Sequence, residues 1–211
     1  MNDRTIKVTG TASITGSPDW VVILFNINSS DYYYTKSVEQ LAKQTEALKR
    51  DLMEAGFEKD ALKTSSFHIG TDYEWVNNNS KKVFRGYVAS HSLKIEFSFD
   101  KKVLNNLLNI LGETRSEANF NIQFTIKDTE ALKELALAEA VKNSKKKAEL
   151  LTEAAGVSLG ELLKIDYSWG EVRFRSSTTF DCCEYESDNV FDIVPDDISV
   201  SDSVTVIWSL K

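Results

Sequence analysis

Cysteine is scarce in this sequence, and its two residues are neighbours, Cys182 and Cys183. Adjacent cysteines have neither the spacing of a Cys-x-x-Cys redox pair nor that of structural zinc ligands, which excludes both kinds of site here. We expect two reduced thiols in a loop, since reduced cysteines are usual inside cells. Redox sensing by the pair is the alternative.

Long apolar runs are also missing. No stretch approaches the roughly 20 apolar residues that cross a bilayer. The residues after Met1 do not form a basic segment followed by a hydrophobic one, which is the pattern of an export signal. The sequence therefore predicts a soluble protein with no membrane span and no cleaved leader, located in the cytoplasm.

Positive charge is in deficit, with 25 lysines and arginines against 32 aspartates and glutamates and a net charge of -7. Binding to nucleic-acid phosphates normally requires a basic face, so a nucleic-acid partner is not expected. The hydrophobic content of 42% is nevertheless sufficient for an ordinary globular core.

Histidine is rare as well, and His68 and His91 lie in predicted strands without a cysteine or carboxylate at metal-ligand spacing. His68 has the opposite strand parity to Phe67, which predicts an exposed side chain, whereas His91 shares the parity of Leu93 and is expected to be a hydrogen-bonded core residue. The sequence has no Gly-x-Ser-x-Gly elbow and no phosphate-binding glycine loop. We therefore predict no catalytic residue, no metal site and no cofactor.

The elements that are present begin with two strands, Ile6 to Ile14 and Trp20 to Ile27. The first alternates apolar and polar residues, whereas the second is nearly continuously apolar and is typical of a strand covered on both faces. An amphipathic helix from Thr35 to Ala55 follows, with Gly56 as its terminator. Its predicted buried stripe is Val38, Leu41, Thr45, Leu48 and Leu52.

Two possible starts of this helix remain open, a capping box of Ser37 with Gln40 and a start at Thr35. After it, alternating apolar residues predict a long antiparallel hairpin with strands around 67–75 and 93–99 and a turn at 77–80. Asp100 is a candidate N-cap for a short helix that Gly112 would close.

The second half of the chain continues with a strand from Phe120 to Ile126 and a long helix from Asp128 to Gly156. Residues proposed for the stripe of the long helix are Leu132, Leu135, Ala138, Val141, Ala148 and Leu151. Two more strands are predicted, Leu163 to Trp169 and Ile198 to Leu210.

This order of elements predicts an α+β fold of two fused α/β sandwich subdomains with mainly antiparallel sheets. The boundary is placed between residues 85 and 86, giving subdomains 1–85 and 86–211. The second is expected to be ferredoxin-like, with an irregular acidic loop at about 170–197.

Short motifs along nearly the whole chain resemble those of the SIMPL family, which is mainly bacterial. The matching residues are Val8-Thr9-Gly10, Pro18-Asp19, Gly56, Thr64, Tyr73, Gly86-Tyr87, the Ala- and Lys-rich long helix, Gly156 to Gly160, and Pro195 before the last strand. The resemblance implies a protein without established catalytic residues, with a tendency to form oligomers. Many relatives are exported, whereas this chain starts directly at its first strand, and it has Asp196 where many relatives have a glycine.

Three sets of residues are candidates for contact with a partner. Tyr32, Tyr33, Tyr34, Trp75 and Trp169 are aromatic residues that form either a recognition surface or part of the protein's own core. Asp181, Glu184, Glu186, Asp188, Asp192, Asp196 and Asp197 suit a solvated loop, with calcium binding or a basic partner as alternatives. Lys142, Lys145, Lys146 and Lys147 suit the solvated side of a helix rather than an anion site.

Taken together, these features predict a non-enzymatic, self-assembling scaffold or protein-interaction module of the SIMPL type, with a stress response as its expected setting. Homo-oligomers and a protein partner are expected. The competing hypothesis is a small-ligand-binding protein or an enzyme of unknown reaction, whose site would form from residues distant in sequence.

Overall fold

A computed structural model describes residues 4–76, 81–113, 118–167, 175–176, 178, 180–181 and 193–211. Its elements are β1 (Thr5–Gly16), β2 (Trp20–Asp31), α1 (Tyr34–Glu54), β3 (Lys63–Val76), β4 (Lys81–Ser98), α2 (Lys101–Glu113), β5 (Asn119–Thr125), α3 (Thr129–Ala154), β6 (Leu159–Asp166), β7 (Phe180–Asp181) and β8 (Ile198–Leu210). None of these helices is both long enough and apolar enough to cross a membrane.

The chain forms two compact units, and each is assembled from segments that are distant in sequence. Unit 1 consists of Met1–Pro18, Thr125–Ser177 and Asp196–Lys211, and unit 2 of Asp19–Phe124 and Thr178–Pro195. These limits differ from the predicted division at residue 85, because β4 runs through that position and pairs with β2 and β3 on either side.

Unit 1 contains a three-stranded sheet in the order β1-β8-β6, with α3 packed on it. Strands β1 and β8 pair antiparallel from Thr5 opposite Ser209 to Gly16 opposite Ile198. Alternate residues of both strands, among them Val8 and Val206, are buried against the helix, as period-two patterning requires.

The helix α3 buries small residues rather than the predicted leucines. Its buried face is Ala136, Ala140, Ser144, Ala148 and Thr152, each four residues from the next. Of the predicted stripe only Ala148 is fully buried, and Leu135 and Leu151 are more than half exposed. The small side chains allow a short distance between the backbone of α3 and the sheet. Larger side chains do not fit in this space, so they lie at the flanks of the helix.

Unit 2 contains a five-stranded sheet in the order β3-β4-β2-β5-β7, with α1 and α2 contributing to its core. The fully buried large side chains of this unit are Phe25, Phe124, Ile23, Ile27, Leu41, Leu48, Ile95, Leu104, Leu107, Leu108 and Ile122. The predicted stripe of α1 is largely confirmed by burial of Leu41, Thr45, Leu48 and Leu52, and Ser37 is buried with them.

The α+β fold with two sheet-containing parts is confirmed, but the ferredoxin-like pattern lies elsewhere. The elements β2-α1-β3-β4-α2-β5 have the β-α-β-β-α-β order of a ferredoxin-like unit. The predicted version began near Gly86, yet β4 and β5 belong to one sheet and β6 and β8 to the other. The order of elements in the sequence did not locate the ferredoxin-like unit, because strand–helix–strand segments at more than one position in the chain match part of its pattern.

The helix ends follow local hydrogen bonding. Asp100 accepts a hydrogen bond from the amide of Lys102 at 2.7 Å and Asp128 accepts one from the amide of Ala131 at 3.1 Å, which confirms both predicted caps. The helix α1 begins at Tyr34, one residue before the predicted start at Thr35, and its N-cap, Tyr33, makes no side-chain hydrogen bond, so the capping box of Ser37 with Gln40 is wrong. Ser37 instead lies inside the helix.

Candidate interaction surfaces

Seven aromatic side chains of unit 2 form what we call the aromatic surface: Tyr32, Tyr33, Tyr34, Tyr73, Trp75, Phe84 and Tyr87. Six of them are linked by ring contacts, and Trp75 joins them through the ammonium of Lys82, which lies 4.1 Å from the ring centroid of Tyr73 and 6.0 Å from that of Trp75. The first three lie where β2 ends and α1 begins. The others come from β3 and β4, whose register places Tyr73 opposite Phe84.

Phe84 is at the centre of this group. Its ring centroid lies 5.6 Å from that of Tyr32, 5.6 Å from that of Tyr73 and 5.4 Å from that of Tyr87, with tilts of 70 to 77°. Tyr34 meets Tyr87 at 5.7 Å with nearly perpendicular rings. Edge-to-face contacts of this kind hold rings in defined orientations.

The described aromatic residues of the prediction are open to solvent, which argues against a place in the protein's own core. Tyr32 is 61% exposed and Trp75 58% exposed, so neither completes the core. Trp169, the fifth aromatic residue of the prediction, lies outside the described residues. Exposed aromatic groups of this extent are typical of binding surfaces.

Phe84 and Tyr87 were absent from the predicted surface, although Gly86-Tyr87 was noted as a family motif. Their place in the aromatic surface follows from the register of β3 and β4. The periodicity of the sequence does not predict this register, because a β-bulge shifts it. The register shifts between Asp72 and Tyr73.

A polar cavity of about 270 Å³ adjoins the aromatic surface, and its lining includes Asp31, Tyr32, Asp72, Arg85 and Tyr87. Gly86 makes this close arrangement possible, since its φ is +142° and an added Cβ would lie 2.4 Å from the carbonyl oxygen of Asp31.

The polar groups of the cavity are only partly engaged. Asp31 accepts a hydrogen bond from the amide of Tyr33 at 2.8 Å through one carboxylate oxygen. Arg85 pairs with Glu74, with 2.8 Å between Nε and Oε2. The carboxylate of Asp72 makes no hydrogen bond or ion pair with the residues that the structure describes.

A second exposed surface lies on β6 in unit 1. This strand is at the end of its sheet, and β8 is its neighbour. Leu162, Leu163 and Ile165 are each about half exposed, which is unusual for strand residues of this type. The sequence predicted a strand here but not that both of its faces would be open.

His91 is held by two hydroxyl groups. Thr45 donates its only hydroxyl proton to the carbonyl oxygen of Leu41 at 2.8 Å, so it must accept from Nδ1 of His91, 3.2 Å away. The neutral ring therefore carries its proton on Nδ1 and accepts from Thr64 through Nε2 at 2.9 Å. The predicted hydrogen bonding of His91 is confirmed, but its ring is only partly buried and does not belong to the core, and His68 is exposed as predicted.

The His91 ring lines a mainly apolar groove of about 290 Å³ between α1 and the hairpin. Phe67 meets the ring edge-to-face at 5.3 Å, and the carboxylate of Glu46 in the groove accepts a hydrogen bond from Lys49 at 2.6 Å. Burial lowers the pKa of His91, and the positive charge of Lys49 lowers it further.

This depressed pKa makes stability depend on pH. Because the folded-state pKa lies below the usual 6.5, the unfolded chain binds more protons between the two values. We therefore expect the free energy of unfolding to decrease as the pH falls below 6.5 towards the folded-state value. Urea unfolding between pH 7.5 and about pH 5 measures this decrease in the free energy of unfolding. The variant His91→Gln should show a weaker dependence of that free energy on pH.

The matched control is His68→Gln, which changes an exposed histidine of the same strand pair. It should keep the pH dependence of the unmodified chain. An equal slope in all three proteins would mean that His91 does not contribute.

The remaining predicted sites are outside or only partly inside the described residues. Cys182, Cys183, Glu184, Glu186, Asp188 and Asp192 lie outside them, and Asp181, Asp196 and Asp197 lie within. Over the described ranges, no three His, Cys, Asp or Glu residues are grouped to hold a metal ion.

The lysine cluster of α3 is exposed as predicted. Lys142 pairs with Glu139 at 3.2 Å and Lys145 with Glu149 at 3.8 Å, as expected for the solvated face of a helix. These contacts favour solvation over an anion site.

These features define an α+β protein whose exposed surfaces are an aromatic group and a sheet edge. The chain belongs to the SIMPL family, described as a protein of unknown function (DUF541), whose model matches residues 6–208. The uncharacterized protein YggE of Edwardsiella ictaluri is 26% identical over 169 residues, which are 77% of this chain and 67% of the relative.

Two further relatives have a location in their names. The 26 kDa periplasmic immunogenic proteins of Brucella melitensis and Brucella abortus are each 28% identical over 170 residues, 76% of this chain and 65% of the relative. The chain thus spans about two thirds of the length of these relatives. Their names do not support the predicted cytoplasmic location.

Proposed function

We propose that this protein is a self-assembling interaction module in which β6 of one copy pairs with β6 of a second. The observation that carries this proposal is the composition of the strand at the end of the β1-β8-β6 sheet. A sheet-edge strand offers unpaired backbone amides and carbonyls to an added strand. In β6 this edge also bears the exposed side chains of Leu162, Leu163 and Ile165.

Pairing two copies of β6 would remove these side chains from water. Full burial of one leucine is worth about 1.5–3 kcal/mol, so a few such residues at the centre of an interface contribute much of its affinity. A stable contact needs roughly 800 Å² per partner, more than one strand provides, so neighbouring residues must join it. A two-fold arrangement in which both copies use the same surface meets this requirement.

Charged residues on β6 favour specific over indiscriminate pairing. Glu161, Lys164 and Asp166 are interspersed among the apolar residues, and the β6–β8 register is irregular between Leu159 and Lys164. Charges and bulges of this kind protect sheet edges from unrelated strands.

The two described cavities of unit 2 are at the small end of the range for ligand sites. Sites for small molecules typically enclose about 300–1,000 Å³. The cavities beside Asp72 and His91 measure about 270 and 290 Å³ and are open to solvent. Binding of a small ligand in the His91 groove is the second candidate function, favoured by the two hydrogen bonds that orient the ring.

The test of self-assembly is the variant Leu163→Lys. A lysine on this strand brings a charge into the proposed contact and requires its desolvation, so we expect at least a tenfold weaker association, a change of about 1.4 kcal/mol. Sedimentation velocity over the micromolar range, with native mass spectrometry, measures the distribution of species.

The matched control is Leu150→Lys on α3, where the side chain is 66% exposed and belongs to a helix rather than to a strand. It should leave association unchanged. The proposal is wrong if the unmodified chain is monomeric throughout this range, or if both variants weaken association equally.

A further inference from the structure

The polar cavity beside the aromatic surface combines carboxylates with ring faces. Asp31 and Asp72 line it on either side of Gly86, since β2 and β3 both pair with β4 at this point. Tyr32 and Tyr87 complete the wall, and both rings are held in place by Phe84. The site therefore joins three strands and does not depend on a single loop.

The charges of this lining favour a positive ligand. Asp72 has no hydrogen-bond or ion-pair partner in the described part of the chain, and one carboxylate oxygen of Asp31 is similarly unengaged. The guanidinium of Arg85, the one basic group among the described residues of the lining, is paired with Glu74. Carboxylates in this state are acceptors for charge-assisted hydrogen bonds.

The neighbouring rings already hold positive groups of the chain itself. The ammonium of Lys82 lies 4.1 Å from the ring centroid of Tyr73, and that of Lys36 lies 5.1 Å from the centroid of Tyr33. Such contacts show that the faces of this aromatic surface are accessible to cations at cation–π distances. Tyr32 and Tyr87 have no lysine or arginine of this chain over them among the described residues.

We infer that this cavity binds an arginine side chain presented by a flexible basic segment of a partner protein. A planar guanidinium stacks on a tyrosine ring and donates two parallel hydrogen bonds to a carboxylate, which a compact ammonium cannot do. The cavity of about 270 Å³ suits one side chain rather than a larger ligand. The net charge of -7 attracts basic partners over longer distances.

The experiment uses the full chain and three five-residue probes, Gly-Gly-Xaa-Gly-Gly with blocked ends, where Xaa is arginine, lysine or citrulline. Citrulline has nearly the shape of arginine but no charge. Titrations followed by amide NMR shifts give both the affinity and the location. We expect arginine to bind more tightly than lysine, no measurable binding of citrulline, and shifts centred on Tyr32, Asp72 and Gly86.

The deciding variants carry matched changes of charge. Asp72→Asn should weaken binding of the arginine probe about tenfold, as loss of a charge-assisted pair implies. Glu153→Gln removes a negative charge that is likewise exposed, at the end of α3, and should leave affinity unchanged. Tyr32→Leu, which removes the ring but keeps an apolar side chain, should also weaken binding, and circular dichroism confirms folding of each variant.

Equal weakening by Asp72→Asn and Glu153→Gln would show attraction by overall charge alone and overturn the inference. Binding of citrulline as tight as that of arginine, or absence of binding by arginine, would do so as well. The result is independent of assembly through β6, because Leu163→Lys should bind the arginine probe normally. Loss of assembly with intact probe binding thus separates the two proposals.

Discussion

Replacing Gly10 by alanine is expected to destabilise unit 1 by about 3 kcal/mol or more. An added Cβ at this position would lie 2.1 Å from the carbonyl oxygen of Ala140 and 2.6 Å from Cβ of Ser144. Both partners belong to the buried face of α3, so the whole helix would have to move away from the sheet. Urea unfolding followed by far-UV circular dichroism measures the loss.

The expected destabilisation arises from the steric overlap of the added Cβ with α3, and not from replacing a glycine as such. Gly56→Ala is the control, because Gly56 has a φ of +94° but no atom within 4 Å of an added Cβ. Backbone strain alone predicts a cost of about 1–2 kcal/mol there. If Gly10→Ala is no more destabilising than Gly56→Ala, the close approach of α3 to β1 is wrong.

Truncation of Phe25 to alanine is expected to have the largest effect in unit 2. The side chain is fully buried on β2, and its ring centroid lies 5.9 Å from that of Phe120. Removing it leaves a cavity that the sheet and helices cannot close, at a cost of about 3–5 kcal/mol. Denaturant unfolding with near-UV circular dichroism, which reports aromatic packing, measures the change.

The adjacent residue provides the control, since successive side chains of a strand point to opposite faces. Leu24 is only partly buried, and Leu24→Ala should cost clearly less than Phe25→Ala, about 1–2 kcal/mol. Equal losses for the two variants would contradict the burial of one face of β2 against α1 and α2.

Much of unit 2 was predictable because its signals are local. The helix α1 was placed within one residue at each end, from the spacing of Leu41, Thr45 and Leu48 and from Gly56 after its end. The hairpin of β3 and β4 was predicted from alternation, and Asp100 from its position before a helix. Patterns of this kind depend on neighbours within a few residues.

The orientation of α3 was not predictable from periodicity. We expected the leucines of α3 to be buried in preference to its alanines, because burying a larger apolar side chain is more favourable. Here the backbone contact of Gly10 with Ala140 decides instead, and it excludes larger residues from the interface. The partner that imposes this condition is about 130 residues away in sequence.

The candidate surfaces were predictable in part. Tyr32, Tyr33, Tyr34 and Trp75 were identified as aromatic residues of undecided location, and the structure exposes them. Their grouping around Phe84 depends on the bulge in the β3–β4 register, and the cavity beside Asp72 depends on Gly86. A shift of one residue in this register would turn alternate side chains to the opposite face.

By itself, the sequence determined the elements other than the short strand β7, the α+β class and the family, since each follows from short-range patterns or from motifs in a fixed order. Only the tertiary structure decided how the chain divides into its units, which face of α3 is buried, and that β6 and the aromatic surface are open to solvent. The physical reason is that burial depends on which distant segments meet, and a segment's own periodicity contains no information about its partner.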